Sequence, residues 1–393
     1  MSRTIIVGGG IAAWKLLQAL SVNDYSLPVT LISQEQLPCY NRVLLPEFLA
    51  GNCTEQALSE GVDLTDFPHL TVLTGTTVIE IDSNHQTVRL DSGEELDYKK
   101  LILATGALAT QPKISGIEIS GVHQLRAVDD ARWFLEQNLP AANIVVVGGG
   151  LLGLEAAYAL SKQGANVTVV HRNANLLNRQ IDTQAANQLR AELEELGLSF
   201  VMQNSVAEVL GNSRVTGVRL DDNSIIPASL VLFAAGTQPN TQLAASAGIE
   251  VDTTGIITDR FFATSAADTF ALGECAQVNG YRSALVSVVT DQAKALAQNL
   301  AGISTEFVEQ PGTTRLKVGP VELFVTGELG TNHDEDIFIS GQSIYRRLHF
   351  INGQLKGAVL LGDTRGARLI AENLGKQFTQ QKTRAGLVCG LEG

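Results

Sequence analysis

Residues 143–155 read NIVVVGGGLLGLE, and residues 4–14 had already read TIIVGGGIAAW. Each stretch is a short run of β-branched residues, three glycines, and then a helix-forming apolar pattern. The same meaning attaches to both. In Gly8-x-Gly10-x-x-Ala13 the first glycine permits a tight strand-to-helix turn, and the second lets a diphosphate approach the backbone. The small third residue lets the helix pack close to the strand. Gly148-x-Gly150-x-x-Gly153 meets the same three demands. Gly9, Ala12, Leu151 and Leu152 complete the two turns and open the two helices. A phosphate held there lies at a helix N-terminus, where free N–H groups and the dipole favour an anion.

One glycine turn of this kind is weak evidence, because such turns also arise for steric reasons. Both of these follow a strand, open a helix and precede a second strand, PVTLIS at 28–33 and NVTVVH at 166–171. Two βαβ units with the same order imply two different bound dinucleotides, one a resident redox cofactor and the other its electron donor.

The rest of the chain agrees with an enzyme of this type. Its 393 residues exceed one ordinary domain, and 45% hydrophobic against 18% charged residues is the balance of a compact globule. The formal charge of −13, with no basic run longer than Arg346-Arg347, argues against nucleic acid as a partner. The first residues enter a strand directly, without the basic and apolar regions of a secretory signal. No apolar run approaches the roughly 18–20 residues of a membrane span, so a soluble, cytoplasmic protein that does not engage a membrane is expected. Cys39, Cys53, Cys275 and Cys389 are too dispersed for a zinc or iron–sulfur site, which predicts reduced structural thiols and no metal.

Between the two units, TVIEIDSNHQTVRLDSGEELDY at 77–98 alternates like antiparallel strands, and KKLILATGA at 99–107 is a strand ending in Ala-Thr-Gly. SLVLFAAGTQPNT at 229–241 closes the second unit in the same way. The last 80 or so residues change character, with strand-like VELFVTGEL and a pair of strands joined at Asn352-Gly353, a tight-turn signal. The expected class is α/β: two Rossmann-like dinucleotide-binding domains and a small α+β C-terminal domain. The boundaries are 1–112 with 242–310 for the first, 113–241 for the second and 311–393 for the third.

Five motifs in order carry a resemblance: GxGxxA at 8–13, ATG at 104–106, GxGxxGxE at 148–155, AAGTQPNT at 234–241 and ATSAADTFALGECA at 263–276. Over residues 1–310 the chain resembles the FAD-containing pyridine-nucleotide reductases with two dinucleotide domains. PCYNRVLLPEFLAG at 38–51 and VTVVHRNANLLNRQID at 167–182 narrow it to the flavin portion of NAD(P)H nitrite reductase large subunits, and the tail resembles rubredoxin reductases. The resemblance implies FAD on the first unit and NAD(P)H on the second. It assigns the FAD ribose to Glu35 or Gln34, the flavin and its phosphates to Arg42, and close backbone or side-chain contact to Val78, Ala104, Thr105, Gly106 and Gly273. Glu274 stands where most relatives have Asp, a departure at the ribityl hydroxyls. For NAD(P)H it implies Ala235, Gly236 and the end of the strand VTVVHR. No carboxylate stands there to bind a 2′-hydroxyl; His171 and Arg172 do, and NADH is favoured with NADPH use open. Glu155 is placed near the nicotinamide, and the lysine that pairs with it in several relatives is here Glu47. No side chain is needed as nucleophile, so Glu155 is the one candidate for a catalytic role.

The expected reaction carries electrons from NAD(P)H through FAD to a separate redox protein: rubredoxin, ferredoxin, or a nitrite or nitrate reductase partner. Lacking a cysteine cluster for iron–sulfur and sirohaem groups, the chain is not expected to reduce nitrite by itself. Two other readings stand beside this one. An NADH oxidase or peroxidase would make Cys39 a reactive thiol, and a nucleotide-responsive signalling flavoprotein would turn over slowly and change oligomeric state. Tyr345, Arg346, Arg347 and His349 form a basic island, expected as solvent-facing strand residues or as a docking surface for an acidic iron protein. An oligomer is left open.

Overall fold

The computed structural model describes all residues except 1–2, 24, 63, 65–66, 68, 310–311, 330–334, 342, 379 and 391–393. The chain forms two compact units, one of residues 1–45, 54–108 and 237–310, the other of residues 46–53, 109–236 and 311–393.

In the first unit a parallel five-stranded sheet runs in the order 269–271, 100–103, 4–7, 29–32 and 70–73. Thr4–Val7, TIIV, is buried along its whole length, as a central strand covered on both faces must be. The chain moves outward from it on one side and returns on the other, so the sheet reverses its winding beside Val7. Ligands of open α/β sheets bind beyond the strand ends at such a reversal. Helix Ile11–Val22 covers one face and packs against helix Val286–Leu300, burying Leu16, Leu20, Leu296 and Ala297. The other face is covered by the antiparallel strands 78–82, 87–90 and 95–97, whose inward residues include Ile81, Val88 and Leu96.

The second unit repeats the plan. Its parallel sheet is ordered 199–202, 166–171, 143–147, 230–233 and 122–124, with the winding again reversing beside the first strand, Asn143–Val147. Helix Leu151–Lys162 follows that strand, as Ile11–Val22 follows Thr4–Val7. The polar Asn173 to Asp182 loop leads into helix Thr183–Glu195, capped by the Asp182 carboxylate, which accepts from the Gln184 and Ala185 N–H groups at 3.0 and 3.1 Å.

Residues 313–361 form an antiparallel sheet in the order 313–318, 321–327, 354–361, 345–351 and 335–340, covered by helices Ala367–Glu372 and Gln381–Val388. The expected tight hairpin is there: Asn352 and Gly353 both have positive φ, +49° and +74°, which a two-residue turn matched to strand twist requires.

The basic island is corrected by its surroundings. Tyr345, Arg346 and His349 are buried, not solvent-facing, with Arg346 only 2% exposed. Arg346 lies 3.3 Å from the Asp363 carboxylate and donates to the Arg365 carbonyl at 2.7 Å. Arg347 and the Tyr345 hydroxyl both donate to Asp182, at 3.0 and 2.9 Å. The alternation of the strand conceals this, because these charges are spent on carboxylates elsewhere in the unit. They offer no docking surface.

Candidate dinucleotide sites

Gly8 and Gly9 of the first turn each have a separate steric reason. Gly8 has φ +109°, and a Cβ there would lie 2.3 Å from the Ala104 carbonyl oxygen, so Ala104 and Gly8 fix each other's backbone. A Cβ on Gly9 would meet the Ser33 hydroxyl at 2.5 Å. Gly10 differs: its backbone is extended (φ −91°, ψ −168°), and a Cβ would meet only Arg42 Nε, at 3.9 Å. Nothing among the described residues demands glycine at position 10.

The second turn behaves identically. Gly148 has φ +130°, and its Cβ would lie 2.3 Å from the Ala234 carbonyl oxygen. Gly153 would drive a Cβ to 2.0 Å from the Gly148 carbonyl oxygen. Gly150, with φ −88° and ψ −178°, has nothing within 4 Å. Both helices therefore begin at an extended glycine, with no side-chain cap on their first-turn N–H groups. Such a place suits a diphosphate: bare donors, a helix dipole and room for oxygens where a methyl group would stand.

Some of the anticipated residues lie beside the first turn, Arg42 at Gly10 and Ala104 and Thr105 at Gly8. Glu35 is bonded by Arg42 and accepts from the Tyr40 hydroxyl at 2.8 Å, while Arg42 lies 5.0 Å from the Tyr40 ring centre. The pair leaves Glu35 fixed at the end of the second strand, whereas Gln34 is exposed. Thr105 donates through its hydroxyl to the Asn240 carbonyl at 2.7 Å, and the Asn240 N–H returns a bond to Gly106 at 2.9 Å. Val78 opens the antiparallel strand Val78–Asp82 and is buried in the core. Ala13 is fully buried, and Ala12 packs so closely on Gly273 that a Cβ there would come within 2.7 Å. Glu274 accepts from the Thr237 hydroxyl at 2.7 Å and has Arg282 at 3.9 Å. The longer side chain is thus tied to the connecting strand Thr237–Pro239.

Gln292 was not among the residues expected at the site. It is wholly buried in helix Val286–Leu300, its Oε1 accepts from the Gly273 N–H at 3.0 Å, and its Nε2 has no partner among the described residues. A lone amide on an otherwise apolar face, QAKALA, was the available signal. An unpaired buried donor beside Gly273 and Ala12 fits a site that takes an oxygen-rich ligand.

Cys39 is fully buried, in a left-handed backbone conformation (φ +58°), and its N–H donates to the Gly9 carbonyl at 2.6 Å. Burial pushes its thiol up to about 12, against a small opposing pull from Arg42. It is a structural element of the turn and not a nucleophile.

In the second unit, His171 points inward. Its Nδ1 accepts from the Gly149 N–H at 3.0 Å, which requires a neutral ring, and burial, aided by the Arg172 charge, holds its pKa below the ordinary value. A Cβ on Gly149 would strike this ring at 2.9 Å. Arg172 is exposed at the strand end and makes no hydrogen bond or ion pair among the described residues. Leu151 and Leu152 form the first helical turn. Ala235 and Gly236 follow strand Leu230–Phe233, with the Gly236 carbonyl accepting from the Thr110 N–H at 2.9 Å. Glu155 is half-buried one turn into the helix, and burial pushes its carboxyl up to about 8; a Lys317 N–H opposes this and the Glu47 charge adds to it. Among the described residues no cluster of His, Cys, Asp or Glu could hold a metal, and no helix is long and apolar enough to cross a membrane.

Comparison with known proteins agrees with this geometry. The profile of the pyridine nucleotide-disulphide oxidoreductase family matches residues 2–294. The assimilatory nitrate reductase electron transfer subunit of Bacillus subtilis is 33% identical over 95% of this chain and 49% of its own length. The nitrite reductase [NAD(P)H] of the same organism is 35% identical over 93% of this chain and 46% of its own. The chain thus spans about half the length of these two relatives. Rubredoxin-NAD(+) reductase of Pseudomonas putida is 32% identical over 77% of this chain and 80% of its own. Putidaredoxin reductase, solved in covalent complex with putidaredoxin, shares the fold with a TM-score of 0.87, 23% identity, and coverage of 99% of this chain and 98% of that one.

Proposed function

The chain belongs to the pyridine nucleotide-disulphide oxidoreductase family, and from that premise we propose that it is an FAD-dependent oxidoreductase moving electrons from NAD(P)H to a separate redox protein. The observation that carries this reading is the pair of open cradles at Gly10 and Gly150, each glycine unexplained by the protein's own packing. FAD belongs to the first unit and NAD(P)H to the second.

FAD, when bound, supplies the conversion of a two-electron hydride into single electrons. The chain's own residues bind and orient. Gly8, Gly9, Gly10, Ala12 and Ala13 hold the diphosphate at the start of helix Ile11–Val22, and Arg42 stands beside Gly10 to balance its charge. Glu35, held by Arg42 and Tyr40, presents its remaining lone pairs to the adenosine ribose. Thr105-Gly106 and Gly273-Glu274 close the strand ends of the same sheet, and the Gln292 amide supplies a further buried donor. In the second unit Gly148, Gly150, Leu151, Leu152 and Gly153 hold the coenzyme diphosphate. NADH is the favoured donor, and NADPH is accepted, because the strand end offers Arg172 and no carboxylate to repel a 2′-phosphate.

The acceptor is a small electron carrier of the rubredoxin or ferredoxin kind, or a terminal nitrate or nitrite reductase component, working with this chain in the cytoplasm. The relatives' names support this choice. An oxidase or peroxidase built on Cys39 is disfavoured by that thiol's burial. The test is anaerobic turnover of the FAD-loaded protein with NADH and purified rubredoxin or ferredoxin. Catalysed reduction of a carrier, faster than oxygen consumption in air, supports the reading; oxygen as the sole effective acceptor refutes it.

A further inference from the structure

In the first unit, Ala271, Leu103 and Val7 stand level in three neighbouring parallel strands. Gly273 and Glu274, just past strand Thr269–Ala271, therefore lie at the same edge of the sheet as the first glycine turn and Thr105. The chain soon returns there. After strand Ala276–Val278, Asn279 and Gly280 both take positive φ, +50° and +84°, and Val278 and Tyr281 exchange N–H···O bonds of 2.8 and 3.0 Å. Asn-Gly suits such a reversal, because both residues tolerate the left-handed region. The next residue, Arg282, is thereby brought back onto Glu274.

Arg282 grips this residue twice. Its Nε donates to the Glu274 carbonyl at 3.3 Å, and a terminal nitrogen lies 3.9 Å from Glu274 Oε1. The same Oε1 accepts from the Thr237 hydroxyl at 2.7 Å. The Gly273 N–H is held separately by Gln292 at 3.0 Å, so the backbone of this corner has an anchor besides Arg282. The side chains are largely out of water, 14% exposed for Glu274 and 27% for Arg282. A carboxylate so placed is costly unless a cation and donors compensate it. Glutamate also has one more rotatable bond than the aspartate of most relatives, and fixing it beforehand removes an entropy cost from ligand binding.

We propose that Arg282 is a positioning residue for FAD: together with Thr237 it holds the Glu274 side chain ready for the cofactor's hydroxyl groups, and its charge keeps that carboxylate from opposing reduction of the flavin. This role rests on the reading that the first unit holds FAD. A carboxylate accepts from hydroxyls in charge-assisted bonds, stronger than neutral ones, provided that it is held in place. Charge near a flavin also sets how readily it is reduced. An unbalanced carboxylate disfavours the added electrons, whereas one paired with a guanidinium has little effect. A purely structural arginine, fastening the turn through the Glu274 carbonyl alone, would act the same way whether or not residue 274 carried a charge.

The test is a double-mutant cycle over Arg282→Met and Glu274→Gln, with Arg282→Lys beside it, read by the FAD dissociation constant and by the midpoint potential of the bound flavin. Arg282→Met should weaken FAD about tenfold. It should also lower the potential by about 30 mV, a further tenfold against the reduced form of a two-electron couple. Arg282→Lys, which keeps the charge, should recover most of the potential. In the Glu274→Gln background Arg282→Met should cost less than about threefold in affinity, and the double variant should return to within about 10 mV of the parent. An equal loss of affinity in both backgrounds, or an unchanged potential in Arg282→Met, overturns the positioning role. If Arg282→Met holds no FAD, Arg282→Lys decides: substantial recovery of binding supports the role, and none overturns it. A parent protein that holds no FAD refutes the functional reading and takes this role with it, whereas a parent that holds FAD without coupling between Arg282 and Glu274 overturns this role alone.

Discussion

Replacing Gly150 by alanine separates what the fold needs from what the ligand needs. Its backbone is already extended and nothing lies within 4 Å of the added methyl, so folding has no clash to absorb. Reduced unfolded-state entropy would stabilise by about 0.4–1 kcal/mol, and alanine's poorer performance as an N-cap would take back about as much. Stability should stay within about 1 kcal/mol of the parent. Coenzyme binding should not survive, because a methyl group reaching about 1.5 Å beyond Cα stands where a phosphate oxygen must meet the first-turn N–H groups. Losing one or two charge-assisted bonds of about 1.5–2 kcal/mol each costs about 1.5–4 kcal/mol, at least about tenfold in affinity. Gly153→Ala is the control: its Cβ would lie 2.0 Å from the Gly148 carbonyl oxygen, so it should lose stability and binding together. The assay is denaturant unfolding of both variants beside NADH binding by calorimetry. Parental NADH affinity in Gly150→Ala, or destabilisation as large as in Gly153→Ala, would mean that Gly150 does not serve the coenzyme.

Arg172→Ala should lower kcat/KM for NADPH about tenfold to a hundredfold and leave that for NADH nearly unchanged, read from steady-state kinetics with both coenzymes. Asp182→Ala removes a helix cap and the partner of Arg347 and Tyr345, and should cost about 2–3 kcal/mol in neutral solution. Although burial pulls the Asp182 carboxyl upward, the Ala185 N–H, Arg347 and Tyr345 hold it below its ordinary value. That contribution is present at neutral pH and lost as pH falls through the folded-state value, so the gap between variant and parent should narrow in acid unfolding curves. Thiol labelling of the native protein should mark exposed Cys389 and spare buried Cys39, and Cys39→Ala should retain flavin reduction by NADH.

The two βαβ units were legible because their signal is local: β-branched strands, glycines at fixed offsets and an apolar helix lie within about 30 residues. Gly8, Gly148 and Gly153 could be assigned in advance because backbone geometry alone demands them. Glu35 or Gln34, and Arg42, could be named from the sequence, but the bond between Glu35 and Arg42 could not, since it depends on how the loop of residues 33–42 returns on itself. Gln292 was hidden because its partner, Gly273, is 19 residues away. The basic strand misled for a related reason. Alternation indicates which face a residue takes, but Asp182 and Asp363, the carboxylates that draw Arg347 and Arg346 inward, come from distant parts of the chain. His171 looked like a coenzyme contact, and only the structure shows its ring turned back onto Gly149.

The proposed function requires FAD in one unit and a nicotinamide donor in the other. Anaerobic titration of the FAD-reconstituted protein with NADH, followed by absorption, tests this most directly. The expected result is tightly held flavin whose oxidised spectrum bleaches fully with one equivalent of NADH per flavin. Protein that retains no flavin after reconstitution, or flavin that neither NADH nor NADPH reduces, would contradict it.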